Sequence, residues 1–465
     1  MLPDEILLAV FFFFVDKDAF RKKDIEAWQS LVHVCRRWRS VVFGSPRRLN
    51  LRLVCGANPV RGTLDVWPPL PLVIRGSAYQ KIGMDNNILA GLERSDRVCR
   101  INLWGYDRSH RSPLKVLVAM QKPFPELTDL VMDFETATVL PDSFLDGSAP
   151  RLQKLHLDGI PFPGLPKLLL SATHLVDLHL SIRYISPKAM ATALLTLTSL
   201  KLLRLKFLES SQSRLDRVNP RLPPTRTRSL LPVLDTLWFE GDAEYLDDLV
   251  ALIDAPRLNN LDVVFPHRII SDIPKFSLFT GRTLTLEALE KAYVAFEFDG
   301  ASVKLSSQTS GHGKLKVKIL CRGLNQKVSS LTWFCTSYLP LPTLEDLYVY
   351  WDVSPRLERE DHVESIQWLE LFHPFSAVKN LYLSKDSAPH IGRVVQELVG
   401  ESTTEVLPIM QNIFLERSRP RRPVPESIKE FVAARQLSGR PITVSTIPRN
   451  LMRSWVMMFD YYFDN

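Results

Sequence analysis

The chain has 465 residues, of which 45% are hydrophobic and 23% are charged, so it has enough apolar side chains for a large folded core. Its formal charge of +7 would suit a nucleic-acid ligand, but the Lys and Arg residues occur in separate short groups without interleaved aromatic residues. We therefore expect an ordered protein, and nucleic-acid binding is kept only as a minor alternative. No apolar run is long enough to cross a bilayer, and the five cysteines form no Cys-x-x-Cys pair. These features predict a protein of the cytoplasm or nucleus that does not bind membranes.

The first 46 residues predict two short amphipathic helices. Apolar residues recur at helical spacing from Ile6 to Phe14, after Pro3 and two acidic residues. A second apolar stripe extends from Ile25 to Val42 and ends before Gly44. Two helices of this length bury little surface, and they carry more apolar side chains than one mutual contact can cover. This pattern indicates a module that docks on a protein partner; the alternative is a helical cap on a larger domain.

The residues of these helices resemble the F-box. The resemblance lies in Leu2-Pro3-x-Glu5-Ile6-Leu7, in Leu31 and in Val34-Cys35-Arg36-Arg37-Trp38, whereas the spacer between the two halves is longer than in most of that family. It implies docking onto the Skp-type adaptor of a cullin-RING ubiquitin ligase, while the remaining chain selects a protein target. The residues that it places on the adaptor are Leu2, Pro3, Ile6, Leu7, Leu31, Val34, Cys35 and Trp38.

After residue 95 the pattern apolar-x-x-apolar-x-apolar recurs. Its first anchors lie at intervals of 23 to 34 residues from Val98 to Leu258, and the pattern returns between Leu344 and Met410. This spacing is typical of leucine-rich repeats, in which each unit supplies a short strand and stacks on its neighbours. The predicted fold class is α/β, an N-terminal helical F-box followed by a curved leucine-rich-repeat-like solenoid with irregular repeats. Blocks such as LPTLEDLYVYW and PFSAVKNLYLSKDSAPHI resemble the F-box proteins with irregular leucine-rich repeats of mushroom-forming fungi.

The sequence predicts three segments, namely docking helices in residues 1–46, a solenoid in residues 47–447 and an aromatic tail or cap in residues 448–465. The repeats are clearest in residues 95–265 and 340–420. Between these two ranges the pattern changes to two-residue alternation, with Asp299-Gly300 as a hairpin signal. We interpret this region as repeats with lengthened strands, and an independent β insert is the alternative. The tail is interpreted as a plug on the last repeat or, alternatively, as a peptide-like binding segment.

No motif for nucleotide binding, serine hydrolysis or zinc proteolysis occurs in the chain, so we expect no enzymatic activity and no cofactor. His156 and His179 occupy the same position in adjacent repeats, with Asp158 and Asp177 nearby. A metal pair is one interpretation of this arrangement. Two histidines without further Cys or His ligands favour the other interpretation, a solvent-facing recognition surface, so we expect no metal.

The residue between the last two anchors of each repeat is predicted to lie on the concave side of the solenoid. Large aromatic residues and arginine dominate protein interfaces. The candidate target-binding residues are therefore His156, His179, Arg204, Lys206, Trp238, Tyr348, Tyr350 and Tyr382; alternatively, some of them face inward because the repeats are irregular.

Two functions follow from these predictions. In the first, the chain is the substrate-recognition subunit of a Skp/cullin/F-box ubiquitin ligase, monomeric on its own, and it binds an unknown protein target. In the second, it is a non-enzymatic interaction scaffold unrelated to ubiquitin.

Overall fold

A computed structural model of the chain describes residues 2–15, 25–56, 61–77, 84–105, 114–134, 139–182, 185–207, 228–267, 272–283, 290–306, 313–339, 343–351, 365–388, 391, 406–417, 423–448 and 450. The chain forms two compact units, residues 1–231 and residues 232–465. The predicted aromatic tail, residues 448–465, lies outside the described residues except for positions 448 and 450.

Unit 1 begins with helices α1 (Asp4–Phe14), α2 (Trp28–Val32) and α3 (Arg36–Gly44). The second predicted helix is therefore two helices. The break lies at Cys35, whose backbone is extended and whose Sγ accepts a hydrogen bond from the Trp38 backbone N–H at 3.4 Å. A residue that caps a helix in this way cannot continue the preceding one.

In the rest of unit 1 most strands are followed by an α-helix, and a 3-10 helix (Phe144–Gly147) lies between β4 and β5. Its strands are β1 (Leu53–Cys55), β2 (Leu72–Ser77), β3 (Val98–Trp104), β4 (Asp129–Asp133), β5 (Lys154–Asp158), β6 (Asp177–Ile182), β7 (Leu202–Phe207) and β8 (Ser229–Leu230). Its further helices are α4 (Arg61–Val66), α5 (Met84–Leu92), α6 (Leu114–Ala119), α7 (Leu165–Ser171) and α8 (Pro187–Leu194). Strands β1 to β7 are neighbours in chain order and pair in parallel. Parallel neighbours need such crossover segments between them.

Unit 2 contains a mostly parallel sheet in the order β9-β11-β14-β13-β12-β15-β16-β17-β18. The strands of this unit are β9 (Thr236–Glu240), β10 (Ile253–Asp254), β11 (Asn260–Phe265), β12 (Lys291–Phe296), β13 (Gly300–Ser306), β14 (Lys314–Leu320), β15 (Asp346–Trp351), β16 (Asn380–Leu383), β17 (Asn412–Glu416) and β18 (Thr443–Ile447). Its helices are α9 (Ala243–Leu252), α10 (Pro274–Thr283), α11 (Leu324–Tyr338), α12 (Ser365–Phe372) and α13 (Glu426–Leu437). The predicted mixed α/β class is confirmed.

The apolar anchors of the repeats form the core. In β5, for example, Leu155 and Leu157 are fully buried, whereas His156 between them is partly exposed. Side chains alternate between the two faces of a strand, so the anchors share one face and the intervening residues share the other. We call this second side the open strand face.

The region between the two predicted repeat series differs from both interpretations. Strand β13 pairs antiparallel with β12 and with β14, and β14 then lies beside β11 while β12 lies beside β15. The three strands are thus neither lengthened parallel repeats nor an independent insert, because they continue the sheet of unit 2. The hairpin predicted at Asp299-Gly300 is confirmed, with the Glu297 N–H donating to the Gly300 carbonyl at 2.8 Å.

This hairpin is fixed from both sides. The ammonium group of Lys327, a buried residue of α11, donates hydrogen bonds to the carbonyls of Glu297 at 2.7 Å and Phe298 at 3.3 Å. On the other side, a Cβ atom on Gly300 would lie only 2.4 Å from the Ile319 carbonyl oxygen of β14. Glycine is therefore required there by the close approach of the backbone.

We expect Gly300→Ala to lower the free energy of unfolding by about 1–3 kcal/mol, because the added methyl group forces β13 away from β14. Urea denaturation of the purified chain measures this change. Gly281→Ala is the matched control, since a Cβ at this helical position meets nothing within 4 Å. Equal stability of both variants would contradict the close approach.

Candidate protein-binding surfaces

Helix α1 carries apolar side chains beyond those that it buries. Leu7 and Phe11 are buried against the following helices. Beside them lie exposed apolar residues that we call the α1 stripe, with the exposed fraction of each given after its name: Leu2 56%, just before the helix, Ile6 48%, Val10 53%, Phe13 88% and Phe14 52%. Ile6, Val10 and Phe13 are spaced by three to four residues and therefore line one side of the helix. Contiguous apolar side chains of this size on a surface mark an interaction site.

Specific contacts hold α1 on α3. The ring of Phe11 meets the ring of Trp38 edge to face, with 4.7 Å between the centroids. Arg37 forms hydrogen bonds with Asp4 Oδ1 at 2.6 and 3.0 Å and donates another to the Leu2 carbonyl at 2.5 Å. The stripe therefore lies on a helix whose buried face and N-terminus are both fixed.

The helical module is also joined to the sheet of unit 1. Trp28 is fully buried, its ring contacts those of Phe43 and Trp67, and its indole N–H donates to the Arg52 carbonyl at 2.9 Å. The Glu26 carboxylate accepts a hydrogen bond from the Val54 N–H of β1 at 2.9 Å. Because β1 begins the strand order, these contacts connect the module to the first strand of the sheet.

The residues predicted to bind an adaptor fall into two groups. Leu2, Pro3, Ile6, Val34 and Cys35 are exposed, and Trp38 is partly exposed. Leu7 and Leu31 are each only 6% exposed, so the direct contact predicted for them is corrected to a supporting role inside the module. Val10, Phe13 and Phe14 are also exposed but were not among the residues predicted to bind an adaptor. Their apolar character was visible in the sequence, but helical spacing alone does not reveal which side of an apolar helix is buried.

On the open strand face of unit 1, the in-register residues form a column. Asn102, Val131, His156, His179 and Arg204 are consecutive Cα partners across β3 to β7. His156, His179 and Arg204 are therefore neighbours on adjacent strands, as predicted. Lys206 lies two residues after Arg204 on the same strand and is also partly exposed.

The two histidines of this column are stacked. Their ring centroids are 3.9 Å apart and their planes are inclined by 24°. Burial lowers the pKa of both imidazoles, and for His179 the neighbouring His156 and Arg204 lower it further, to about 4. Both rings are therefore neutral near pH 7. Within the described ranges, no group of three or more His, Cys, Asp or Glu side chains is arranged to hold a metal ion.

In unit 2, the corresponding column is a stack of four aromatic rings that we call the tyrosine stack: Tyr293, Tyr348, Tyr382 and Phe414. Successive centroids are 4.4, 4.1 and 4.6 Å apart, and successive planes are inclined by 13°, 10° and 12°. Burial raises the pKa of the three tyrosines. Two positions before the rings on the same strands, side chains form hydrogen bonds from strand to strand. Asn380 donates to Asp346 and Asn412 donates to Asn380, both at 2.7 Å.

Burial of this stack corrects part of the predicted target-binding surface. Tyr348 is only 4% exposed, because its ring lies between those of Tyr293 and Tyr382. It packs within the sheet face and is not presented to a partner. Trp238, Tyr350 and Tyr382 remain partly exposed. Tyr293 was not predicted to belong to this column, because the column was predicted from the repeat spacing and β12 lies in the region where that spacing is lost.

Comparison of the sequence with protein-family models gives no match, and comparison with curated proteins gives no significant match. In the part of the chain that the structure covers, no helix is both long and apolar enough to span a membrane. The residues and contacts of the two surfaces are therefore the basis for inferring function.

We expect the stability of the chain to fall as the pH decreases from 6.5, the ordinary value for histidine, toward about 4, the pKa of His179. In this window the unfolded chain binds a proton that the folded chain excludes, so acidification favours unfolding. The pH dependence of the melting temperature should be smaller in His179→Gln than in the wild type. His174→Gln, at an exposed position of the same unit, is the control. An unchanged pH dependence in His179→Gln would show that the buried imidazole does not contribute.

Proposed function

We propose that this chain is the substrate-recognition subunit of a Skp/cullin/F-box type ubiquitin ligase. The observation that carries the proposal is the α1 stripe, which exposes Leu2 just before α1 and four large apolar side chains on this helix, already fixed by Phe11 and Arg37. A stripe of this size favours burial by a protein partner. The F-box resemblance of the same helices identifies that partner as a Skp-type adaptor, and Val34, 59% exposed, extends the apolar surface beyond α1.

We further propose that the module is an F-box and that the sheets with their helices are irregular leucine-rich repeats. In unit 1, each strand from β1 to β7 lies beside its predecessor in the chain and buries its alternate apolar residues. Stacked strand units that contact only their neighbours are typical of solenoids. The open strand face then presents partly exposed polar and aromatic side chains to a protein target.

In this function the chain brings the target protein close to the ligase. The adaptor binds the α1 stripe, and the target binds the open strand face, so the ligase holds the modifying machinery near the target. Holding two reactants in one complex makes their reaction effectively unimolecular. Trp28 and Glu26 connect the module to β1, so the two surfaces of unit 1 belong to one connected structure.

We expect the wild-type chain to retain a Skp-type adaptor in co-purification and Ile6→Asp or Val10→Asp to weaken retention by roughly tenfold or more, because a charge in a central apolar contact costs over about 1.4 kcal/mol. Leu437→Asp is the matched control, since Leu437 is 90% exposed on helix α13 of unit 2. Circular dichroism should show all three variants folded.

Failure of the wild type to retain the adaptor, or retention by Ile6→Asp equal to that of Leu437→Asp, would reject the ligase function. The second function, an interaction scaffold unrelated to ubiquitin, would then replace it.

A further inference from the structure

Three adjacent side chains on the open strand face of unit 1 have polar atoms without a hydrogen-bond or ion-pair partner among the described residues. His156, His179 and Arg204 occupy one register position on β5, β6 and β7, and each is partly exposed. In the described part of the chain, none of the three forms a hydrogen bond or an ion pair. The Nε atom of Arg204 is buried and without an acceptor. A guanidinium group and two imidazoles therefore lie side by side with unused donor capacity.

The chemistry of the three side chains distinguishes the kinds of ligand that they could bind. The two imidazoles are stacked with their centroids 3.9 Å apart, and they belong to no group of three or more described His, Cys, Asp or Glu side chains that could hold a metal ion. A guanidinium fork beside two imidazoles offers several N–H donors, which suit the separate oxygens of one carboxylate or phosphate.

Ion pairs neutralise part of the negative charge around these three side chains. Of the acids on the same face, Asp177 pairs with Lys154 at 3.1 Å and Asp129 pairs with Arg100 at 3.5 Å. Asp158, two residues after His156, forms no ion pair with another described residue. Asp133 lies in register with Asp158, and Lys206 lies two residues after Arg204. Of these groups, Asp158 is the one that opposes an anion most directly.

We propose that His156, His179 and Arg204 form an oxyanion-binding site that takes a carboxylate or phosphate group of a protein segment docked on the open strand face. The site deepens the target-binding part of the proposed function, but it does not depend on adaptor docking. Anion binding at this site takes up protons, because a negative charge beside a neutral imidazole favours its protonated form. Affinity therefore rises as the pH decreases through the midpoint of His179 in the anion-bound chain, which lies above its anion-free value of about 4.

The test is NMR of the full chain labelled with carbon-13 at histidine Cε1, with His156→Gln and His179→Gln assigning the two resonances. The probes are inorganic phosphate and acetate, each compared with chloride at equal ionic strength. We expect an anion to raise the titration midpoint of His179 by about one unit or more, since a charge within hydrogen-bond distance has an effect of this size. A response to phosphate alone identifies a phosphorylated target segment, and a response to both identifies an acidic one.

Two variants test the assignment of the donors. Arg204→Gln should remove most of the anion-induced shift, whereas Arg94→Gln, at an exposed position of the same unit, should leave it intact. Asp158→Asn should strengthen binding, because it removes the opposing carboxylate. Midpoints that are the same in chloride, phosphate and acetate would overturn the site, as would an Arg204→Gln variant that responds like the wild type. Adaptor retention is a separate measurement, so failure here leaves the ligase function standing.

Discussion

The parallel register of the strands is the constraint on which the rest of the structure depends. It places the same position of successive strands side by side at about 4.8 Å, so every position becomes a column. On one face the columns consist of buried leucines, such as Leu155 and Leu178, and form the core. On the other face the same spacing brings planar side chains into stacking distance. The histidine pair and the tyrosine stack are both consequences of this one geometry.

Much of this arrangement could be predicted, because the leucine spacing reports directly which residues share a face. His156 and His179 were placed together correctly for that reason. The order of β12, β13 and β14 could not be predicted, since two-residue alternation indicates a strand but not its neighbour. The burial of Tyr348 could not be predicted for a related reason. The ring of Tyr293 covers it, and Tyr293 lies beside Tyr348 only because β12 pairs with β15.

The same register has different chemical consequences in the two units. In the tyrosine stack, neutral rings cover one another, so the column becomes part of the packing of unit 2. In unit 1 the stacked rings are ionisable and adjoin Arg204, and burial together with the charges of His156 and Arg204 lowers the pKa of His179. Stacking there leaves donors that no described side chain uses. A column can thus stabilise the sheet or present a site, depending on whether its members carry unsatisfied polar atoms.

The position of the two surfaces within unit 1 bears on how the proposed receptor would work. Helix α1 is fixed through α3, and Trp28 and Glu26 connect the module to the sheet at β1. His179 lies on β6, five strands from β1, a separation of about 24 Å at the usual strand spacing. Hydrogen-bonded strands span this distance without a flexible linker. A partner on the α1 stripe and a segment at His179 would therefore be held at a constant separation, which is what catalysis by proximity requires.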